Sequence, residues 1–130
     1  MGIWQGRDLR KPTGGKVRPH RKRRKYEQGG HPTETVVGGE EVRTRVRVRG
    51  GGLKTRLRVA SFVNVSDPST GRARKVKILQ VVSNPANVDY SRRGVLTRGA
   101  VVKTEVGLVK ITSRPGQDGC ANGVLIEARP

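Results

Sequence analysis

The chain of 130 residues has one cysteine, one phenylalanine, one tryptophan and two tyrosines. Cys120 alone permits no internal disulfide, so nothing in the sequence calls for an oxidising compartment. The four aromatics, Trp4, Tyr26, Phe62 and Tyr90, are too few for a stacking platform of the kind that binds single strands without sequence preference, although Tyr26 is placed to pack or stack where the basic segment ends. With only one Phe, the core has to be aliphatic. The sequence also has no run of about 18 apolar residues and no amphipathic apolar face in its most basic segment, which argues against membrane spanning and against surface anchoring. No apolar stretch follows Met1-Gly2-Ile3-Trp4, and Gly6 stands where a myristoylation site requires Ser or Thr, so no targeting signal is expected. A cytoplasmic protein is the natural reading.

Acids are scarce as well, 10 against 28 Lys and Arg. Apart from Glu40-Glu41, whose side chains point to opposite faces of a strand, they are scattered singly among basic residues, as in local ion pairs. No Gly-x-Ser-x-Gly elbow and no His-Glu-x-x-His pair occurs. Gly14-Gly15-Lys16 is followed by Val17 where a phosphate-binding loop needs Ser or Thr, and Arg10 replaces its leading glycine. His20 and His31 have no second ligand at metal-binding spacing, and Cys120 has no paired cysteine or positioned base. No metal, cofactor, small-molecule substrate or catalytic activity is expected.

What the chain does have is positive charge, +18 in total, and half of it sits at one end. Ten of the first 26 residues are Lys or Arg against the single acid Asp8, and Arg21-Lys22-Arg23-Arg24-Lys25 is unbroken. So charged and apolar-poor a segment cannot bury enough surface to offset its ordering entropy, which predicts an extended arm that orders against a polyanion. Pro12 and Pro19 keep it extended, while Gly14 and Gly15 allow close approach to phosphates. His20, inside the run, is suited to a backbone or phosphate hydrogen bond.

The composition changes at Gln28-Gly29-Gly30-His31-Pro32. Beyond it stand 18 valines with frequent glycine, a mixture that favours short strands over helices. The expected organisation is a basic RNA-threading arm and linker over residues 1–32 and an all-β body over residues 33–130, a small closed or nearly closed β-barrel. Candidate strands are Ser61 to Val65, Lys75 to Val82, Val101 to Glu105, Leu108 to Thr112 and Val124 to Ala128. Turn clusters at Asp67 to Gly71, Asn84 to Asn87 and Arg114 to Gly119 separate them.

The clearest pattern runs from Glu41 to Ala60. Val42, Thr44, Val46 and Val48 alternate with Arg43, Arg45, Arg47 and Arg49, and Leu53, Thr55, Leu57 and Val59 alternate with Lys54, Arg56 and Arg58. A two-residue turn at Gly50-Gly51 pairs Val48 with Leu53 and Val42 with Val59, which puts the apolar sets on one face; a three-residue turn scatters both faces and is rejected on that ground. The other face then carries seven cations, with Arg47 against Lys54, Arg45 against Arg56 and Arg43 against Arg58. Ordinary wet faces mix signs, whereas this ribbon has none of the opposite sign, and arginine donates bidentately to phosphate. The expected contacts to a nucleic-acid backbone, RNA by preference, are therefore Arg7, Arg10, Lys11, Gly14, Gly15, Lys16, Arg18, His20, Arg21, Lys22, Arg23, Arg24 and Lys25 in the arm, and Arg43, Arg45, Arg47, Arg49, Lys54, Arg56 and Arg58 in the ribbon.

Three blocks carry a resemblance. Met1-Gly2-Ile3, Arg10-Lys11-Pro12-Thr13-Gly14-Gly15-Lys16 and His20-Arg21-Lys22-Arg23-Arg24-Lys25-Tyr26-Glu27 are similar to the N-terminal signature of the S-eight-e family of archaeal and eukaryotic small-subunit ribosomal proteins. Val46-Arg47-Val48-Arg49-Gly50-Gly51 resembles that family's arginine hairpin, and Ser113-Arg114-Pro115-Gly116-Gln117-Asp118-Gly119 its C-terminal turn. The blocks occur in order and span nearly the whole chain, and the absence of a large insertion after the hairpin resembles the archaeal members. Gln28 departs from the pattern, which has an aliphatic residue there. The resemblance implies a β-barrel with a basic extension, a structural constituent of the small subunit that binds its RNA beside neighbouring ribosomal proteins, is not a homo-oligomer and has no catalytic activity. It adds Arg114, on the C-terminal turn, as a further RNA contact. The alternatives are a free-standing RNA chaperone or assembly factor, which would bind many RNAs, and an RNA-processing enzyme, which would need carboxylates gathered from distant positions.

Overall fold

In the computed structural model, residues 2–6 and 10–128 are described, and the chain forms two compact units, Met1–Pro32 and Thr33–Pro130. The first unit is tied at its ends. Strand β1 (Ile3–Trp4) pairs antiparallel with β2 (Gln28–Gly29), Ile3 opposite Gly29 and Trp4 opposite Gln28. A turn of 3-10 helix over Lys25–Glu27 leads into β2, and the Gln5 amide donates to the Glu27 carbonyl at 2.8 Å.

The second unit runs β3 (Thr35–Val37), β4 (Val42–Arg47), β5 (Leu53–Ala60), β6 (Phe62–Ser66), β7 (Ala73–Ser83), α1 (Val88–Arg93), β8 (Val95–Leu96), β9 (Val101–Thr104), β10 (Gly107–Ile111), α2 (Pro115–Asp118) and β11 (Asn122–Ala128). Strands β6, β7, β9, β10 and β11 form a closed barrel. Each pairs antiparallel with the next, and because their number is odd the first and last point the same way, so closure is parallel: Asn122 lies opposite Asn64 and Val124 opposite Ser66. The barrel is filled by aliphatic side chains, among them Val63, Val65, Val76, Ile78, Val102, Val109 and Ile111. Gly123 is held small by this packing, since a Cβ there would stand 2.5 Å from Val109 Cγ1 and 2.8 Å from the Lys110 carbonyl oxygen.

A second sheet, in the order β4-β5-β3-β8, contributes Leu57, Ala60 and Leu96 to the same core. Its centre is β3, parallel to β5 and antiparallel to β8. The buried Thr35 hydroxyl donates to the Leu57 carbonyl at 2.6 Å, satisfying a polar group that burial would otherwise penalise. The five expected strands are present with shifted ends. Two short helices were not expected: α1 follows the turn cluster Asn84 to Asn87, with Asn87 capping it by accepting from the Asp89 amide at 3.0 Å, and α2 lies within the cluster Arg114 to Gly119, opened by Pro115 at a position where a helix needs no donor.

The hairpin register corrects the expectation from parity. Arg47 lies opposite Leu53, Val46 opposite Lys54, Arg45 opposite Thr55, Thr44 opposite Arg56 and Arg43 opposite Leu57; only beyond a bulge between Val42 and Arg43 does the expected pair Val42–Val59 appear. The turn has three residues, Arg49-Gly50-Gly51, and differs both from the expected two-residue turn and from the rejected three-residue one, which would have set Val48 opposite Lys54. Val48 N donates to Gly52 O at 2.8 Å and Gly51 N to Val48 O at 3.2 Å, with Gly50 and Gly51 at φ of 90° and 86°, values that glycine adopts without strain. The physical reason lies in what each register would bury. Almost all of β4 is exposed, so parity stabilises little there, whereas the expected register would have set three pairs of like charges directly opposite one another. In the observed one Arg43, Arg45, Arg47, Lys54 and Arg56 each face Leu, Thr or Val, and Arg58 falls at the bulge. The cost is apolar exposure: Leu53 is 69% exposed and Val42 46%.

Candidate nucleic-acid interface

Two groups of cations were expected to meet phosphate, and the structure presents them differently. In the first unit every residue from Arg10 to Tyr26 is exposed. Arg7 lies outside the described residues. Arg10 and Lys16 form an antiparallel bridge around a turn in which Lys11 N donates to Gly15 O at 2.8 Å, Gly14 N to Lys11 O at 2.9 Å, and Arg10 Nη1 to Gly14 O at 3.1 Å. Gly14 has φ of 84°. Lys11, Gly15 and Lys16 are thus carried on a small hairpin instead of a featureless strand, followed by Arg18 and His20 in irregular backbone.

The run from Arg21 to Lys25 is organised by one carboxylate. Glu27 accepts from Arg21 Nη2 at 2.5 Å, from the Arg24 amide at 3.1 Å and from Trp4 Nε1 at 3.3 Å. The Arg23 guanidinium lies 5.0 Å from the Trp4 ring centre and that of Arg21 5.8 Å from Tyr26, itself 62% exposed. Arg21, the Arg24 amide and Trp4, in that order, hold the Glu27 carboxyl down at about 2. A depressed carboxylate contributes stability that is fully present above its ordinary value of 4.5 and is lost as pH falls through the folded value of about 2. Acidification across that window is expected to release Trp4 from Glu27. Because Trp4 is the only tryptophan, its fluorescence reports this lock alone, and Glu27→Gln is expected to abolish the acid transition; a variant that titrates like the wild type would exclude Glu27 as its origin.

In the second unit the hairpin does not gather its cations on one face. By alternation about the observed register, Arg43, Arg45 and Arg47 lie on one side of the ribbon and Lys54 and Arg56 on the other. Arg43 pairs with Glu41 at 2.8 Å. Lys54 Nζ donates to Gln117 Oε1 at 3.4 Å, and the half-buried Arg56 donates to Thr33 Oγ1 at 3.1 Å. Arg45, Arg47, Arg49 and Arg58 are exposed and make no ion pair among the described residues. Exposed Arg114 precedes α2, and its amide donates to Asp118 Oδ2 at 2.8 Å. Helix α2 packs on β5, and Gly119 at its end, at φ of 73°, leaves no room for a Cβ, which would stand 2.8 Å from Thr55 Cγ2. The C-terminal block of the sequence thus braces the base of the hairpin.

Some exposed cations escaped the sequence reading. Arg74, Lys75 and Lys77 on β7 are exposed, and the signal was available in the alternation Lys75-Val76-Lys77-Ile78. Among the described residues no group of three or more His, Cys, Asp or Glu side chains is placed to hold a metal ion, and no helix is long and apolar enough to cross a membrane.

The family model of ribosomal protein S8e matches residues 4–126. The chain belongs to the S8e family. It is 53% identical over 130 residues to the small ribosomal subunit protein eS8 of Hyperthermus butylicus, covering 99% of this chain and 96% of that one. To the protein of the same name from Staphylothermus marinus it is 54% identical over 127 residues, with 98% and 99% covered. The Ignicoccus hospitalis eS8 protein is 51% identical over 130 residues, with 99% and 100% covered. The match to the family model takes in both the basic N-terminal segment and the barrel of this chain.

Proposed function

We propose that this S8e protein is a structural constituent of the small ribosomal subunit in the cytoplasm, where it binds small-subunit ribosomal RNA through backbone phosphates and helix shape. The observation that carries the proposal is its kinship, over nearly its full length, with proteins named for the small ribosomal subunit. Geometry supports the mode of binding. An A-form major groove hides its base edges, so a protein reads duplex RNA by shape, phosphates and 2′-hydroxyls. Exposed arginines on a narrow two-stranded ribbon and a basic loop tied at its base suit that task.

In this reading residues 1–32 act as the RNA-threading segment and 33–130 as the barrel body. Lys11, Lys16, Arg18, Lys22, Arg24 and Lys25 bind phosphate from the first unit, while Arg45, Arg47, Arg49 and Arg58 do so from the second. Arg43, Lys54 and Arg56 have intramolecular partners and serve chiefly to shape the ribbon. The protein works as a scaffold without catalysis, as a single copy beside neighbouring ribosomal proteins.

Sedimentation of native lysate at low and high salt tests this directly. Stoichiometric protein in small subunits, retained through a salt wash, is the expected result. Substoichiometric signal, or release to the soluble fractions, would identify a transient RNA chaperone or assembly factor instead.

A further inference from the structure

The chain's only phenylalanine is not in its core. Phe62 lies on the outer surface of the barrel, 37% exposed, opposite Lys77 on β7. Lys75 places its ammonium 4.6 Å from the ring centre and pairs in register with Asn64. Asn64 in turn donates through Nδ2 to Asn122 Oδ1 at 2.9 Å across the parallel seam that closes the barrel. One strand further, Lys110 pairs with Val124 on the same outer surface. A single exposed apolar residue needs no explanation. Here, however, an aromatic face, three ammonium groups and two side-chain amides share adjacent positions on four neighbouring strands, with no carboxylate at any of them.

We propose that this surface binds one unpaired nucleotide of RNA, with its base stacked on Phe62, its phosphate held by Lys75 and Lys77, and its base edge hydrogen-bonded by the Asn64–Asn122 amides. The inference rests on the ribosomal reading above and adds to it a site outside both the N-terminal segment and the hairpin. The energetics favour exchange. An exposed Lys over an aromatic ring gains less than a base stacked on the same ring, and the displaced ammonium gains a phosphate. Single-stranded RNA is recognised in this way, by splaying a base onto an aromatic and reading its edge, whereas phosphate contacts alone carry no such discrimination.

The test uses the full chain and an in vitro transcript of an archaeal small-subunit ribosomal RNA, with Phe62→Leu, Phe62→Tyr and an Arg45→Glu/Arg47→Glu double variant. Phe62→Leu keeps an apolar side chain and removes the ring, so it is expected to weaken binding about 5- to 150-fold. Its salt dependence is expected to match the wild type, because no phosphate contact is lost. Phe62→Tyr is expected to retain wild-type affinity, and ultraviolet crosslinking is expected to join the Phe62 peptide to an unpaired nucleotide. Affinity of Phe62→Leu within twofold of wild type would overturn the proposal, as would an equal loss in Phe62→Tyr, which would point to packing. If the hairpin variant weakens binding while Phe62→Leu does not, stacking alone fails; if neither weakens it, the RNA reading itself fails.

Discussion

Replacing Lys22, Arg24 and Lys25 with glutamine is expected to weaken binding to small-subunit ribosomal RNA by roughly 10²-fold near 0.1 M salt and to flatten the salt dependence by about two to three phosphate contacts. These three were chosen by their surroundings. Arg21 is committed to Glu27 and Arg23 to the Trp4 ring, so changing either would disturb the lock that ties the segment together as well as its charge. Lys22, Arg24 and Lys25 are exposed and make no ion pair among the described residues. Wild-type binding, with a footprint of about 6 to 10 phosphates, is expected to fall roughly 10³- to 10⁵-fold between 50 and 200 mM salt. A triple variant with the wild-type slope would exclude these side chains from phosphate contact. Filter binding across a salt series measures both quantities, and unchanged Trp4 fluorescence would show that the segment keeps its local structure.

Charge reversal at Arg45 and Arg47 is expected to weaken the same RNA roughly 10- to 100-fold at moderate salt while leaving thermal stability nearly unchanged. Both side chains are exposed on one side of the hairpin, opposite Thr55 and Leu53. Neither supports the core, and removing two positive charges from a crowded ribbon relieves repulsion in the free protein. The same reversal at Arg56 is a poor test. Its guanidinium is half-buried against Thr33, and a carboxylate there would lose that hydrogen bond, so weaker binding would mix misfolding with lost contact. Undiminished affinity of the Arg45→Glu/Arg47→Glu variant at both low and moderate salt would remove the hairpin from the interface.

Charge density was legible without coordinates because it is additive along the chain: the basic segment and the run of arginines from Arg43 to Arg58 are local sums over neighbouring residues. The barrel strands were legible for a related reason. Val63, Val65, Val76, Ile78, Val102 and Val109 all point into one core, so burial enforces the alternation that the sequence displays. Helix α1 was harder to see, since Asn84 to Asn87 reads as a turn between strands. The caps Asn87 and Gly94 were in plain view, but a six-residue helix has too little periodicity to compete with the surrounding strand signal.

By itself, then, the sequence determined the fold class, an aliphatic β-barrel without disulfides, and the sign and location of the charge that draws it to a polyanion. Tertiary structure alone decided which of those charges remain free. Parity misled at the hairpin because it predicts register only where one face is buried, and Val42 to Leu53 stand almost wholly in solvent; there the turn glycines and the repulsion between like charges prevailed. Pairing of β3 between β5 and β8, the bracing of Thr55 by Gly119 and the position of Phe62 outside the barrel likewise join residues far apart in the chain. Such contacts depend on which surfaces the folded chain brings together, a quantity that no local pattern of residues contains.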